Sequence, residues 1–324
     1  MKARGGDKWH HAWIFSGPRG VGKCTTAIQF AEHLLRSGDG VGSSHQDLHI
    51  IRKEDVVWSA NQSLQRRKQT NIPLDLLRER IIGGKTSDGK RHDAVAFKTP
   101  VLGKEKVFII DEAELLDEAG QNALLKTLEE PPPRTTIILV TCREDLLLPT
   151  VVSRCQLLPF SPLHEEEMRV WEAGYSGEAT PAELSWAIRF SCGSPGLACE
   201  ALEAELPILA EVIGGVLSLD KPGSYTDVVT PLISFIEKNV SRWVKENPNT
   251  SKDAANKRAM RLVLLVFGGS AQKLIREGHP DGIRLAGVLV DIEKQLSTNI
   301  SIKVLLESLS ARWVNVSVGD ALFM

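Results

Sequence analysis

Cysteine is scarce in this 324-residue chain: Cys24, Cys142, Cys155, Cys192 and Cys199, with no CxxC spacing. An odd number without close pairs argues against a disulfide framework and against a structural zinc site, so free thiols are expected. Charge of one sign is equally lacking. The 39 Lys and Arg stand against 41 Asp and Glu, a net charge of −2, and no excess positive field is there to hold nucleic acid by charge alone. A stand-alone DNA-binding module is disfavoured. Long apolar runs are missing too: the densest, Leu262 to Phe267, is far too short to cross a bilayer, which argues against a membrane protein. Near the start stand Arg4, Asp7, Lys8, His10 and His11, with no apolar stretch of signal-peptide length, so a cytoplasmic location is expected.

What is present is an ordinary globular composition, 42% hydrophobic and 25% charged, on a chain long enough for two domains or three small ones. Ala12–Phe15, Val107–Ile110 and Thr136–Val140 are short apolar runs without alternation, the pattern of parallel strands covered on both faces. Between them, Thr25 to Leu35 places Ile28, Ala31, Leu34 and Leu35 on one side of a helix, and Ala119 to Leu128 does so with Ala123, Leu124 and Leu128. The second helix must end before Pro131-Pro132-Pro133, since the residue preceding a proline disfavours the α region. These features predict an α/β domain. Residues 38–44 and 83–93 read as polar loops. Beyond Pro162 helical patterns take over: Thr180-Pro181-Ala182-Glu183 offers a capping box with proline at the first helical position, Gly193-Ser194-Pro195-Gly196 breaks the chain, and Leu206 to Trp313 is helical again.

Gly17-Pro18-Arg19-Gly20-Val21-Gly22-Lys23 has the spacing of a phosphate loop. Spacing alone arises by chance in about one chain in ten. Its setting after a strand and before a helix carries more weight, because glycines there let successive N–H groups curl around a phosphate while Lys23 adds charge. Position 24 departs from the pattern. A Ser or Thr hydroxyl normally ligates magnesium there, but Cys24 offers a soft thiol to a hard cation, and Thr25 lies about 100° further round the helix. The loop therefore reads either as one that kept its backbone shape and lost its catalyst, or as one that binds without hydrolysis.

Asp111 and Glu112 follow four apolar strand residues. At the carboxyl end of a buried parallel strand, Asp111 stands where it could hold magnesium through water and Glu112 where it could polarise an attacking water. The plainer alternative is that they cap the helix that follows. A third element, Ser153-Arg154-Cys155 after Leu148-Pro149-Thr150, reads by itself as a surface arginine in an ion pair.

Taken together, the phosphate loop, Ile109–Ala113, Asn122–Pro131, and Leu148-Pro149-Thr150 with Ser153-Arg154-Cys155 resemble the clamp-loader branch of the AAA+ ATPases. His45–Leu48, Ile72–Asp75, Leu77–Glu79, Gly193–Gly196 and more faintly Gln295–Asn299 resemble, within it, the bacterial delta-prime subunits of DNA polymerase III. The resemblance implies an α/β P-loop AAA+ domain over 1–161, a small helical lid domain over 162–205 and an all-α collar domain over 206–324. It implies that Arg154, within Ser153-Arg154-Cys155, acts in trans as an arginine finger on ATP bound to a neighbouring motor subunit. It also implies a hetero-pentameric ring with motor and delta subunits that acts on the sliding clamp and primer-template DNA, as part of a nucleotidyltransferase complex. Thr141-Cys142 sits where such ATPases sense the γ-phosphate, although a strand-end threonine is more often a local backbone partner. Gly196 replaces the lid arginine of the motor subunits. Some family members insert a four-cysteine zinc module near residues 38–45; this chain has no cysteine there, and no zinc is expected. His10 and His11 precede the first strand as in the family, and no metal site is assigned to them. With Gly17, Gly20, Gly22, Lys23, Cys24 and Thr25 as a phosphate loop that has lost its magnesium oxygen, the expectation is a loader subunit with little or no ATPase of its own. ATP with magnesium is a doubtful cofactor. The alternatives are an active AAA+ motor using its own loop, against which Cys24 and Gly196 speak, and an AAA-like protein-binding adaptor outside replication.

Overall fold

In the computed structural model, residues 10–36, 45–65, 71–101, 105–217, 225–247, 251–296, 298 and 300–314 are described. The chain divides into two compact units, Met1–Leu163 and His164–Met324. The first contains β1 (Ala12–Ser16), α1 (Lys23–Arg36), β2 (Leu48–Ile51), α2 (Gln62–Gln65) and α3 (Leu74–Leu77), which runs on through a π turn to Ile82. A two-residue hairpin of β3 (Gly84–Lys85) and β4 (Arg91–His92) follows, within the polar stretch read as a loop. Then come β5 (Lys106–Ile110), α4 (Glu118–Glu129), β6 (Thr135–Thr141), α5 (Pro149–Val152) and β7 (Gln156–Pro159).

Five strands form one parallel sheet in the order β2-β5-β6-β1-β7. Alternate residues of its central strands enter different apolar clusters, which is why these strands show no polar alternation in the sequence. Trp13, Phe15, Val107, Ile109, Ile138 and Val140 pack with Ala27 and Ala31 of α1. Ala12, Ile14, Phe108, Ile110, Ile137 and Leu139 pack with Leu76, Leu77, Leu124 and Leu128 of α3 and α4. Each buried Val, Leu, Ile or Phe among them contributes about 1.5–3 kcal/mol relative to exposure, which fixes the register of the sheet. Asp117 starts α4 by accepting a 2.7 Å hydrogen bond from the Gly120 amide, and the helix ends at Glu129, ahead of the prolines. Because all five strands run the same way, the carboxyl ends of β1, β2, β5 and β6 open on one edge, where α/β sheets place their sites.

The second unit is helical: α6 (Glu165–Ala173), α7 (Pro181–Ser191), α8 (Pro195–Glu203), α9 (Leu206–Leu217), α10 (Tyr225–Glu246), α11 (Lys252–Arg276), α12 (Asp281–Leu296) and α13 (Ile302–Val314). The capping box at α7 forms as the sequence predicts: the Glu183 amide donates to Thr180 Oγ1 at 3.3 Å, and the Thr180 amide donates to Glu183 Oε2 at 2.9 Å. A single apolar cluster runs from Ala187 to Trp313, with Phe267 of α11 edge-on to Trp313 at 4.7 Å between ring centroids.

Candidate functional site

The phosphate loop leaves β1 at Ser16 and enters α1 at Lys23. Gly17 has φ 151°, and a Cβ there would lie 2.2 Å from the Phe160 carbonyl oxygen, so only glycine lets β1 and the end of β7 approach this closely. Gly20 and Gly22 also hold positive φ, 80° and 92°. Lys23 is 5% exposed. Its ammonium turns back on the loop, donating to the carbonyls of Gly17 at 2.7 Å and Pro18 at 2.6 Å and approaching Cys142 Sγ at 3.7 Å. Thr25 points outward and is exposed.

The register of the sheet decides what surrounds position 24. Ile51 of β2 pairs with Ile110 of β5, and the Asp111 amide donates to the Ile51 carbonyl at 3.0 Å. The next residues of the two strands therefore emerge side by side. Arg52 Nε lies 3.7 Å from Asp111 Oδ2, and its Nη2 lies 3.9 Å from Cys24 Sγ. One residue further, Lys53 Nζ lies 2.6 Å from Glu112 Oε2. Glu112 itself adopts left-handed backbone angles, φ 53° and ψ 48°, an arrangement that costs a non-glycine residue about 1 kcal/mol and is typical of functional loops.

Magnesium is the ion this fold would hold, between an oxygen at position 24 and the strand carboxylate. The residues present do not fit it. Burial, and then the charge of Asp111, push the Cys24 thiol up to about 11, so it stays protonated and offers neither hardness nor charge. Asp111 spends Oδ2 on Arg52 and Oδ1 on the Glu112 amide at 3.1 Å. The glycine backbone, the amino end of α1 and Lys23 are groups that could meet a phosphate, provided Lys23 leaves the Gly17 and Pro18 carbonyls.

Around it, Thr141 is buried, and its Oγ1 accepts from the Arg143 amide at 3.0 Å. Cys142 receives Lys23 on its sulfur, and its amide donates to Glu114 Oε1 at 3.3 Å; burial raises its thiol. Gly196 is exposed in the first turn of α8, in the second unit.

Arg154 follows α5, whose first residue is Pro149. Its guanidinium pairs with Glu129 at the end of α4 and donates to the Thr150 carbonyl at 2.9 Å and to Ser153 Oγ at 3.4 Å. Ser153 Oγ donates to the Thr150 carbonyl at 3.2 Å. Cys155 is turned inward against the α3/α4 side of the sheet, where burial pushes its thiol up to about 12.

His11 Nε2 lies 2.8 Å from the Leu128 carbonyl, and His10 stacks on His11. Among the described residues, no three His, Cys, Asp or Glu side chains come together as a metal site. Residues 38–44, where a zinc module would fall, and Ser297 and Asn299 lie outside the described residues.

Arg52, Lys53 and Glu129 are the neighbours that sequence reasoning did not supply. Arg52 and Lys53 stand directly after β2, whose short Leu48-His49-Ile50-Ile51 sequence gives only a weak strand signal.

Residues 2–164 match the family model described as DNA polymerase III, delta subunit. DNA polymerase III subunit gamma of Buchnera aphidicola subsp. Acyrthosiphon pisum (strain APS) is 31% identical over 159 residues, 49% of this chain and 40% of that protein. DNA polymerase III subunit delta' of Bacillus subtilis (strain 168) is 28% identical over 170 residues, 48% of this chain and 44% of that protein. The aligned part of the chain thus spans less than half the length of these relatives. A solved structure of a DNA polymerase III gamma subunit-related protein from Thermotoga maritima is 18% identical, with 93% of each chain covered and a TM-score of 0.49.

Proposed function

This chain belongs to the family described as DNA polymerase III, delta subunit, and from that membership we propose that it is a delta-prime-like subunit of the polymerase III clamp loader that does not hydrolyse ATP itself. It lends Arg154 across a subunit boundary to ATP bound by a neighbouring motor subunit. Relatives named gamma and delta' match at similar identity, 31% and 28%, so the choice between them rests on the chemistry of this site.

The observation that carries the reading is the contrast between two places. In the chain's own loop, position 24 is a protonated thiol, and both carboxylates that catalysis would need are paired with cations, Asp111 with Arg52 and Glu112 with Lys53. Outside it, Arg154 sits after a short helix with its side chain 33% exposed, tethered to a half-exposed Glu129. Such a surface pair contributes about 0–1 kcal/mol, so a γ-phosphate, which the planar fork of arginine matches in two hydrogen bonds, displaces the carboxylate at little cost. The division into an AAA+ domain (1–161), a lid (162–205) and a collar (206–324) belongs to this proposal. So do the cytoplasmic hetero-pentameric ring with motor and delta subunits, and the contacts with sliding clamp and primer-template DNA made through that ring.

The test is reconstitution of the loader with Arg154→Ala. DNA-stimulated ATP turnover at the adjoining motor site should fall by about a thousandfold, in the range of trans arginine fingers, while the ring still assembles. Unchanged turnover in an intact ring overturns the role.

A further inference from the structure

Two successive carboxylates at the end of β5 face two successive cations at the end of β2. The pairing is built in by the strands: Ile51 and Ile110 are in register, and the Asp111 amide is fixed to the Ile51 carbonyl. Arg52 is extended, with φ −129° and ψ 159°, and its amide donates to Asp55 Oδ2 at 2.8 Å, which holds its backbone at the start of the turn Lys53–Trp58. From there the guanidinium reaches both Asp111, at 3.7 Å, and the Cys24 sulfur, at 3.9 Å. In this class of site a divalent cation bridges the side chain at the loop's last position and the strand carboxylate. Here the same two positions are bridged by Arg52.

We propose that Arg52 takes the place of the divalent cation, and that the phosphate loop accepts a nucleoside triphosphate free of metal. The inference rests on the reading of a subunit that does not hydrolyse ATP, and it names what that subunit's own loop takes instead. Guanidinium is a fitting replacement: it stays charged at any working pH and offers several donors to phosphate oxygens. Lys23 lies alongside, and Lys53 follows Arg52 with Glu112 at 2.6 Å and Glu54 at 3.8 Å, so Arg52 and Lys53 are already paired with carboxylates, which a polyphosphate would displace. Lys23 must exchange the Gly17 and Pro18 carbonyls for phosphate oxygens. A magnesium complex is disfavoured, because the ion would meet Arg52 at Asp111 as a like charge and find sulfur rather than oxygen at position 24.

The experiment is calorimetric titration of ATP into the full chain, once in EDTA and once with magnesium. Saturable one-to-one binding in EDTA, at least as tight as with magnesium, is expected. Arg52→Ala should lose about tenfold in EDTA, one lost charge-assisted contact, with its thermal melt confirming the fold. The double variant Cys24→Thr with Arg52→Ala, which gives back the hydroxyl and frees Asp111, should bind ATP more tightly with magnesium than without. Magnesium-dependent binding by the unaltered chain, absence of saturable binding in EDTA, or an Arg52→Ala variant that binds as before each overturns the proposal. The reading under it fails separately: it stands or falls on Arg154→Ala in the reconstituted ring, where Arg52 is untouched.

Discussion

The Lys53 ammonium lies 2.6 Å from the Glu112 carboxylate, while the neighbouring Arg52 guanidinium attends Asp111. A carboxylate held this closely is a poorly placed base, since the ammonium competes with any water for its oxygens. The missing hydroxyl at position 24 is thus only one of three defects. Cys24→Thr alone should leave the purified chain without ATP turnover above background in a phosphate-release assay. Substantial turnover from that single change would mean that Arg52 and Lys53 do not restrain the carboxylates.

The Arg154–Glu129 pair ties the proposed finger to its own subunit. If Glu129 only parks the side chain, Glu129→Ala should change the chain's unfolding free energy by less than about 1 kcal/mol and leave DNA-stimulated turnover of the reconstituted loader at or above its usual value. Arg154→Lys should behave unlike it. Lysine keeps the charge and loses the fork, so turnover at the neighbouring site should stay well below normal. Equal turnover from lysine and arginine would reduce the finger to a point charge.

Much of the scaffold was legible beforehand. The apolar runs at Ala12–Phe15, Val107–Ile110 and Thr136–Val140 became β1, β5 and β6 with ends shifted by a residue, because strands buried on both faces have little freedom in composition. Helices α1 and α4 announced themselves through their apolar stripes and the prolines after α4. The strands at the sheet's edges did not. β2 is four residues long and includes His49, which stacks on Phe108 at 4.7 Å, and β7 is largely exposed and ends in Pro159. With β2 unseen, nothing in the sequence set Arg52 and Lys53 opposite Asp111 and Glu112, since that meeting depends on the register of two strands more than fifty positions apart. The Glu129 contact to Arg154 is of the same kind: both residues lay inside recognised motifs, and only folding brings the two motifs together.

Burial of two thiols has a consequence that depends on pH. Cys24 and Cys155 are raised from 9.0 to about 11 and about 12 in the folded chain. Only the thiolate attacks an alkylating reagent, so at pH 8 both should react about a hundredfold or more slowly than in the chain unfolded by urea, followed by mass spectrometry of the labelled peptides. The linkage runs in one direction. A raised folded value means that the native state keeps its protons longer than the unfolded state, so this contribution to stability is complete below about pH 9 and is lost as the pH rises through about 11 and 12. Urea midpoints should therefore fall from pH 9 to pH 11, and Cys155→Ala should flatten that fall. A midpoint that holds constant over the interval would contradict the burial of these thiols.

Gly17 and Gly22 offer a matched pair of loop substitutions. Both hold positive φ, 151° and 92°, but a Cβ on Gly17 would strike the Phe160 carbonyl at 2.2 Å, whereas a Cβ on Gly22 meets no atom within 4 Å. Gly22→Ala should thus bring only the backbone strain of an unfavourable φ, about 1 kcal/mol. Gly17→Ala must in addition push the chain after β7 away from β1, breaking the 2.7 Å hydrogen bond from the Phe160 amide to the Ser16 carbonyl that closes this edge of the sheet. Adding the lost bond and the repacking of Phe160 against Phe15 raises the expected loss to about 3 kcal/mol. Urea denaturation of the two variants measures the difference directly. Equal losses would show that β7 yields freely beside the phosphate loop, and that the glycine at 17 serves the loop's curvature rather than the approach of these strands.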